Sequence, residues 1–140
     1  MASERRRILI VEDNPDIAEL LVVRLNLAGY MTCKTKDADS AISAVFGFKP
    51  NGILLDIGLP GRDGFVVLQT LKMHPKTRDI PVLMLTARQG MGDIKLALAL
   101  GARDYVTKPF DDQKLLFRIA RMMGEVVPKP TKESRTVSWR

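Results

Sequence analysis

The sequence predicts an α/β domain: a doubly wound, five-stranded parallel sheet with helices packed on both faces. Five short apolar runs alternate along the chain with five segments whose apolar residues recur at helical spacing, a pattern typical of a parallel sheet. The runs are almost continuously apolar, as expected for strands that helices cover on both sides. With 140 residues, of which 46% are apolar, the chain has the size of one domain.

The first half of the chain begins this alternation. Residues 8–11 are all isoleucine, leucine or valine, which predicts a strand there. The Asn–Pro pair at 14–15 then begins a helix, because asparagine caps a helix and proline suits its first turn, and Gly29 ends it. A second strand is expected at 30–34 and a second helix at about 38–45.

The second half continues the same alternation. A loop at 58–64 is rich in glycine and contains a proline, so it connects the third strand to the third helix. We expect a second loop through Gly90 and Gly92, and Gly101 ends the fourth helix. The remaining elements are predicted as strands at 53–55, 81–86 and 104–107 and helices at 65–73, 94–100 and 111–123.

Composition argues against several classes of protein. No apolar run approaches the roughly 18 residues of a membrane-spanning helix, and the first seven residues lack the apolar stretch of a secretory signal. The single cysteine, Cys33, can form neither an intrachain disulfide nor a zinc cluster by itself. We therefore expect a cytoplasmic protein with no membrane partner.

The formal net charge of +6 raises the question of nucleic-acid binding. Most of this charge lies in two terminal segments, a basic N-terminal lead at 1–7 and a linker or flexible C-terminal tail at 125–140. The domain body at 8–124 contains no cluster of basic residues comparable to a nucleic-acid-binding stripe. The sequence therefore predicts no direct nucleic-acid binding by this domain.

Polar side chains stand where the predicted strands end. Glu12 and Asp13 follow the first strand, and Asp56 follows the third. Thr86 ends the fourth strand and Lys108 follows the fifth. Because ligands of such sheets bind at the carboxyl ends of the strands, we expect these five side chains to converge.

The types of these side chains predict their chemistry. Three clustered carboxylates repel one another unless a cation is bound, and oxygen ligands alone favour Mg²⁺ over zinc or copper. An aspartate can also act as a nucleophile and form an aspartyl phosphate, and Asp56 is the central candidate. Lys108 would then supply a positive charge to the phosphate, and Thr86 a hydrogen bond.

Four stretches of the chain carry a family resemblance. They read Ile-Leu-Ile-Val-Glu-Asp-Asn at 8–14, Leu-Leu-Asp-Ile-Gly-Leu-Pro-Gly-Arg-Asp-Gly at 54–64, Pro-Val-Leu-Met-Leu-Thr-Ala at 81–87 and Gly-Ala-Arg-Asp-Tyr-Val-Thr-Lys-Pro-Phe at 101–110. In this order and spacing the sequence resembles the receiver domain of bacterial two-component response regulators, over about residues 7–124. The resemblance implies a flavodoxin-like fold with strand order 2-1-3-4-5, in which the domain body is the receiver.

The resemblance also implies roles for individual residues. Asp56 matches the aspartate that accepts the phosphoryl group in this family. Glu12 and Asp13 match the acidic pair that helps to hold Mg²⁺. Gly58 matches a position whose backbone carbonyl is a metal ligand.

Further matches concern the response to phosphorylation. Thr86 and Lys108 match the residues that contact the phosphoryl group. Tyr105 matches an aromatic switch that turns inward as Thr86 moves towards the phosphate. The Lys108–Pro109 peptide bond matches one that is usually cis in the family.

Two functions are open at this point. In the first, the chain is a phosphorylation-operated signalling receiver that accepts a phosphoryl group from a sensor histidine kinase or a phosphotransfer protein and switches a protein-interaction face. It would catalyse only its own Mg²⁺-dependent phosphorylation and dephosphorylation. In the second, it is a Mg²⁺-dependent phosphatase or phosphotransferase with an aspartyl-phosphate intermediate. The second usually needs a cap domain, for which 140 residues leave little room, so the first is favoured.

The resemblance does not decide the downstream partner. It could be a separate protein target or an output domain outside this chain. Asp104 and Arg118 resemble salt-bridge partners on the dimerisation face of the DNA-binding transcriptional subfamily, which makes a homodimer one candidate assembly. Arg103, however, replaces an acidic residue that is common there. This replacement argues against that kind of dimer.

Overall fold

The computed structural model describes residues 5–59, 64–87 and 91–125. Strands and helices alternate along the chain as the sequence predicts. None of the helices in the described ranges has the length and apolar character needed to cross a membrane. The elements are β1 (Arg7–Val11), α1 (Pro15–Leu27), β2 (Met31–Thr35), α2 (Ala38–Phe48), β3 (Gly52–Asp56), α3 (Gly64–Met73), β4 (Val82–Thr86), α4 (Met91–Ala99), β5 (Asp104–Thr107) and α5 (Asp112–Met122).

The strands form one sheet in the order β2-β1-β3-β4-β5, and every neighbouring pair is parallel. The predicted fold class and strand order are confirmed. The chain first passes from β1 to β2 on one side of β1 and then crosses to β3 on the other side. The strand order therefore reverses between β1 and β3. Ligands of doubly wound sheets bind beside such a reversal, at the carboxyl ends of the strands.

Each face of the sheet has its own apolar core. Helices α2, α3 and α4 cover one face, and α1 and α5 cover the other. Successive residues of a strand point to opposite faces, so Leu9 and Val11 belong to the first core while Ile8 and Ile10 belong to the second. All four are fully buried. Burial on both faces explains why the strands read as continuous apolar runs.

Two helix ends differ from their predicted positions. α2 continues to Phe48, three residues past its predicted end, and stops where Lys49 adopts a left-handed backbone with φ of 53°. α4 begins at Met91, so Gly92 lies inside the helix. The prediction of a loop through Gly92 was wrong, because glycine is compatible with helical backbone as well as with turns. Gly90 lies outside the described residues.

The N-terminal arginines bind the C-terminal ends of three helices. Arg5 donates hydrogen bonds to two carbonyls just after α1, at 3.2 and 2.8 Å. Arg6 donates to the Met123 carbonyl at the end of α5, at 3.0 Å. Arg7 donates to two carbonyls at the end of α2, at 2.9 and 3.0 Å. Carbonyls at a helix C-terminus lack intrahelical partners and carry partial negative charge, so Arg6 and Arg7 stabilise the ends of α5 and α2.

Candidate metal centre at the carboxyl edge of the sheet

The strand ends bring the polar residues to one edge of the sheet. Asp56 is the last residue of β3 and pairs with Leu85 of β4, the residue before Thr86. Glu12 directly follows β1, which lies beside β3. Lys108 directly follows β5, and its N–H donates to the Thr86 carbonyl at 2.8 Å. Four neighbouring strands therefore contribute to this edge.

Three carboxylates lie together here. One oxygen from each of Glu12, Asp13 and Asp56 lies within 4.8 Å of the other two. Glu12 is 2% exposed and Asp56 is 6% exposed, whereas Asp13 is open to solvent. A set of oxygen donors with one open side suits a hard divalent cation that retains part of its water shell, which is the usual state of Mg²⁺. The donor set therefore fits Mg²⁺.

The Lys108 ammonium contacts two of these carboxylates. Its Nζ lies 2.7 Å from Glu12 Oε1 and 3.5 Å from Asp56 Oδ2. The Lys108 side chain is 16% exposed and that of Glu12 is fully buried, so the closer pair is poorly screened by water. The Lys108–Pro109 peptide bond, which leads into the β5–α5 connection, is cis.

Burial has the largest effect on the pKa of Glu12. Burial raises the pKa of Glu12 above its ordinary value, because desolvation disfavours the charged carboxylate. The hydrogen bonds from Lys108 and from the Asn14 N–H lower the pKa of Glu12, and the Asp56 charge raises it. A divalent cation would favour the charged form of the cluster. The arrangement therefore favours binding of a cation.

The β3–α3 connection places two glycines against the site. The Gly58 N–H donates to Asp56 Oδ1 at 3.2 Å, and the Gly64 N–H donates to the Ile57 carbonyl at 2.6 Å. A Cβ on Gly64 would collide with the Asp56 carbonyl oxygen and lie 2.7 Å from Ile57 Cα. The sequence predicts Gly64 only as part of a turn, and this close approach depends on the fold. Residues 60–63 of the same connection lie outside the described ranges.

Thr86 and Tyr105 project from the same face of the sheet. Thr86 pairs with Thr107 and Met84 pairs with Tyr105, and alternate strand residues share a face. Thr86 is 1% exposed. Tyr105 packs partly buried against the core beneath α2, α3 and α4, and the Arg118 guanidinium lies 6.0 Å from its ring centroid. Both residues therefore lie on the side of the sheet that carries α4.

Comparison with known proteins agrees with this geometry. The family model of the response regulator receiver domain matches residues 8–120. The chain belongs to this family. Receiver domains of response regulators are signalling domains, and nothing in the comparisons favours the alternative of a phosphatase acting on a small substrate.

Two curated relatives of this receiver domain are transcriptional regulators. The phosphate regulon transcriptional regulatory protein PhoB of Klebsiella pneumoniae is 41% identical over 128 residues, which cover 91% of this chain and 56% of PhoB. The DNA-binding dual master transcriptional regulator RpaA of Synechocystis is 37% identical over 134 residues, which cover 94% of this chain and 56% of RpaA. The receiver domain thus spans about half the length of the curated relatives it matches.

Solved structures show the same fold. A putative response regulator from Chloroflexus aurantiacus superposes with a TM-score of 0.83 at 31% identity, covering 87% of this chain and 100% of the other. The receiver domain of the sensor histidine kinase PA1611 from Pseudomonas aeruginosa gives a TM-score of 0.79 at 30% identity, with coverage of 87% and 100%. That structure holds a magnesium ion coordinated in its active-site cleft.

Proposed function

We propose that this receiver domain accepts a phosphoryl group on Asp56 from a partner histidine kinase or phosphotransfer protein. In the proposal Mg²⁺ is held by Glu12, Asp13 and Asp56 and by the Gly58 backbone carbonyl. The observation that carries it is the convergence of three carboxylates and the Lys108 ammonium at one edge of the sheet. Outside this reaction and the loss of the same phosphoryl group, the domain catalyses nothing.

The chemistry assigned to this chain is a nucleophilic displacement. A carboxylate oxygen of Asp56 attacks the phosphorus of the donor's phosphohistidine, forming an oxygen–phosphorus bond. The nitrogen–phosphorus bond breaks, and its electron pair stays on the imidazole of the donor. Mg²⁺, when bound, offsets negative charge on the phosphoryl oxygens. Lys108 supplies a further positive charge from the protein, within reach of Asp56.

Phosphorylation becomes a signal in this proposal through Thr86 and Tyr105. The added phosphoryl oxygens are acceptors for a hydroxyl donor, and Thr86 ends the strand beside Asp56. Movement of Thr86 towards them vacates space on the face that it shares with Tyr105. The pair would then couple the phosphoryl site to α4, which packs on the same face.

We further propose that the domain is the input part of a longer cytoplasmic regulator with a DNA-binding output, as RpaA is DNA-binding. A homodimer built on Asp104 and Arg118 finds less support. Within this chain Asp104 already accepts hydrogen bonds from Arg118 at 2.6 Å and from Arg121 at 3.2 Å. Pairing across a dimer would have to replace these contacts.

Phosphorylation by acetyl phosphate tests the proposed function. With Mg²⁺ present, mass spectrometry should show one phosphoryl adduct per chain that is lost at alkaline pH, as expected for an acyl phosphate. The adduct should be absent from Asp56→Asn and retained in Asp79→Asn, which removes an exposed carboxylate at the opposite edge of the sheet. An undiminished adduct in Asp56→Asn, or multiple turnover of p-nitrophenyl phosphate, would contradict the assignment.

A further inference from the structure

Basic side chains gather at the N-terminal edge of the sheet, opposite the carboxylates. The acidic residues described at this edge are Asp79, Asp104 and Glu125. Asp104 is paired with two arginines of α5, and Glu125 accepts a hydrogen bond from the Tyr30 hydroxyl at 2.8 Å. The basic residues in the segments that lead into the strands are Arg5, Arg6, Arg7, Lys49, Lys76, Arg78 and Arg103, and Lys72 lies in the last turn of α3.

We call these basic residues the cationic edge, and several of them are linked by direct contacts or shared surroundings. Arg7 Nε donates to the Lys49 carbonyl at 3.0 Å. Lys49 and Lys76 line one cavity of about 550 Å³. Further along, Lys72 Nζ donates to the Arg78 carbonyl at 3.0 Å.

Arg103 extends the cationic edge beyond Lys72. Lys72 Cγ lies 3.0 Å from where a Cβ on Gly101 would stand, two residues before Arg103. Burial lowers the pKa of Lys72, the Arg103 charge lowers it further, and the Asp79 charge raises it. The cationic edge therefore continues from the start of β1 to the α4–β5 connection.

Four of these cations are available to a partner. Lys49, Lys76, Arg78 and Arg103 are exposed. Within the described parts of the chain, none of the four forms an ion pair with a carboxylate. The helix ends attract positive charge to this edge, but Arg5, Arg6 and Arg7 already donate to carbonyls at or just after the helix ends.

From this arrangement we propose that the cationic edge binds the phosphate backbone of duplex DNA without reading its sequence. Lys and Arg side chains that neutralise phosphates supply most of such non-specific affinity. The sequence predicts no nucleic-acid binding, because the domain body contains no cluster of basic residues that are close together along the chain. The fold assembles one from segments that are nearly 100 residues apart in sequence (Arg5 to Arg103).

The proposal that DNA is the partner rests on one part of the proposed function, namely the DNA-binding output. Glu125, the last described residue, is held at this same edge by Tyr30. The sequence that follows, 126–140, contains four basic residues and one acidic residue. A DNA-binding output joined there would place the cationic edge close to the same duplex, where weak phosphate contacts add to its affinity.

Fluorescence anisotropy with a labelled duplex of arbitrary sequence tests the proposal on the 140-residue chain. We expect a dissociation constant of roughly 10⁻⁶–10⁻⁴ M, weakening steeply with added NaCl. The double variant Lys76→Gln/Arg78→Gln should bind at least about tenfold more weakly at 50 mM NaCl, and its slope of log K against log salt should be shallower by about 2. The control variant Lys36→Gln/Lys114→Gln loses the same charge from the carboxyl edge and should bind like the parent.

Three outcomes would overturn the proposal. They are no binding at 50 mM NaCl, equal weakening in the two double variants, and binding to phosphatidylserine vesicles or to poly-glutamate without binding to DNA. Phosphorylation by acetyl phosphate, measured on Lys76→Gln/Arg78→Gln, should be unchanged. A failure of DNA binding alone would therefore leave the proposed phosphoryl acceptor intact, and a failure of phosphorylation alone would leave the cationic edge intact.

Discussion

Lys108 Nζ lies closer to Glu12 Oε1, at 2.7 Å, than to Asp56 Oδ2, at 3.5 Å. At this edge the lysine therefore pairs more closely with an expected metal ligand than with the expected phosphoryl acceptor. Since the Glu12 side chain is fully buried, its charge depends on this contact in the absence of a metal ion. Metal binding and the position of the lysine are consequently linked through Glu12.

Replacing the lysine tests this dependence. Lys108→Gln should lower the free energy of unfolding by about 3 kcal/mol without metal, because it leaves a buried charge uncompensated. Urea denaturation measures the loss, and saturating Mg²⁺ should restore much of it. Lys34→Gln is the control, because its ion pair with Glu19 at 3.1 Å is exposed and contributes at most about 1 kcal/mol. Equal losses in the two variants would contradict the role given to Lys108.

Magnesium should stabilise the folded domain. An ion that binds only the native state raises the melting temperature by mass action, and the three carboxylates form the proposed site for it. We expect millimolar MgCl₂ to raise the melting temperature of the parent. Asp13→Asn should lose most of that increase, whereas Asp16→Asn, an exposed carboxylate outside the cluster, should retain it. An unchanged melting temperature in the parent would show that the cluster holds no Mg²⁺.

Thr86→Ala should separate phosphorylation from switching. The variant keeps Asp56 and should accept phosphate, but it lacks the hydroxyl that is proposed to move towards the phosphoryl oxygens. Coupling between linked sites is typically about 1–3 kcal/mol. Hydrogen exchange with and without beryllofluoride should therefore show altered protection of α4 in the parent and little change in Thr86→Ala. Equal changes in both proteins would mean that the signal reaches α4 by another route.

Gly64 and Gly58 provide a matched pair of glycines near Asp56. Gly64→Ala places a Cβ against the backbone of β3, and we expect it to lower the free energy of unfolding by about 1–3 kcal/mol. A Cβ on Gly58 meets nothing within 4 Å, so Gly58→Ala should be close to neutral. Thermal denaturation distinguishes the two. A neutral Gly64→Ala would disprove the close approach.

Tyr30 joins the end of α5 to the α1–β2 connection. Tyr30→Phe removes the hydrogen bond to Glu125 and should lower the free energy of unfolding by about 1–2 kcal/mol at pH 7. Burial and Glu125 raise the pKa of Tyr30 above its usual value of 10.0. Its protonated form therefore stabilises the fold below about pH 10, and this contribution is lost as the pH rises further. The parent and Tyr30→Phe should converge in stability above pH 10 in urea titrations, and parallel pH profiles would contradict the assignment.

The amino-acid pattern was sufficient to predict the strands and the convergence of polar residues at their ends. Runs such as 8–11 and 53–55 are apolar on both faces, which only a covered strand requires. Glu12 and Asp56 stand where those runs stop, and parallel pairing brings such residues to one edge whatever the details of packing. Helix ends were predicted less well. α2 ends where Lys49 adopts a left-handed backbone conformation, which lysine rarely adopts and the sequence therefore does not indicate.

By itself, the sequence determined the parallel sheet and the group of carboxylates, because these depend on residue type and on spacing along the chain. The strand order followed only from the resemblance to a known family. Only the tertiary structure decided which partner Lys108 takes, how closely Gly64 approaches Asp56, and where the basic residues gather. These features depend on distances between segments far apart in sequence. Such distances are set by the packing of helices on the sheet, which depends on many segments together and cannot be read from any one of them.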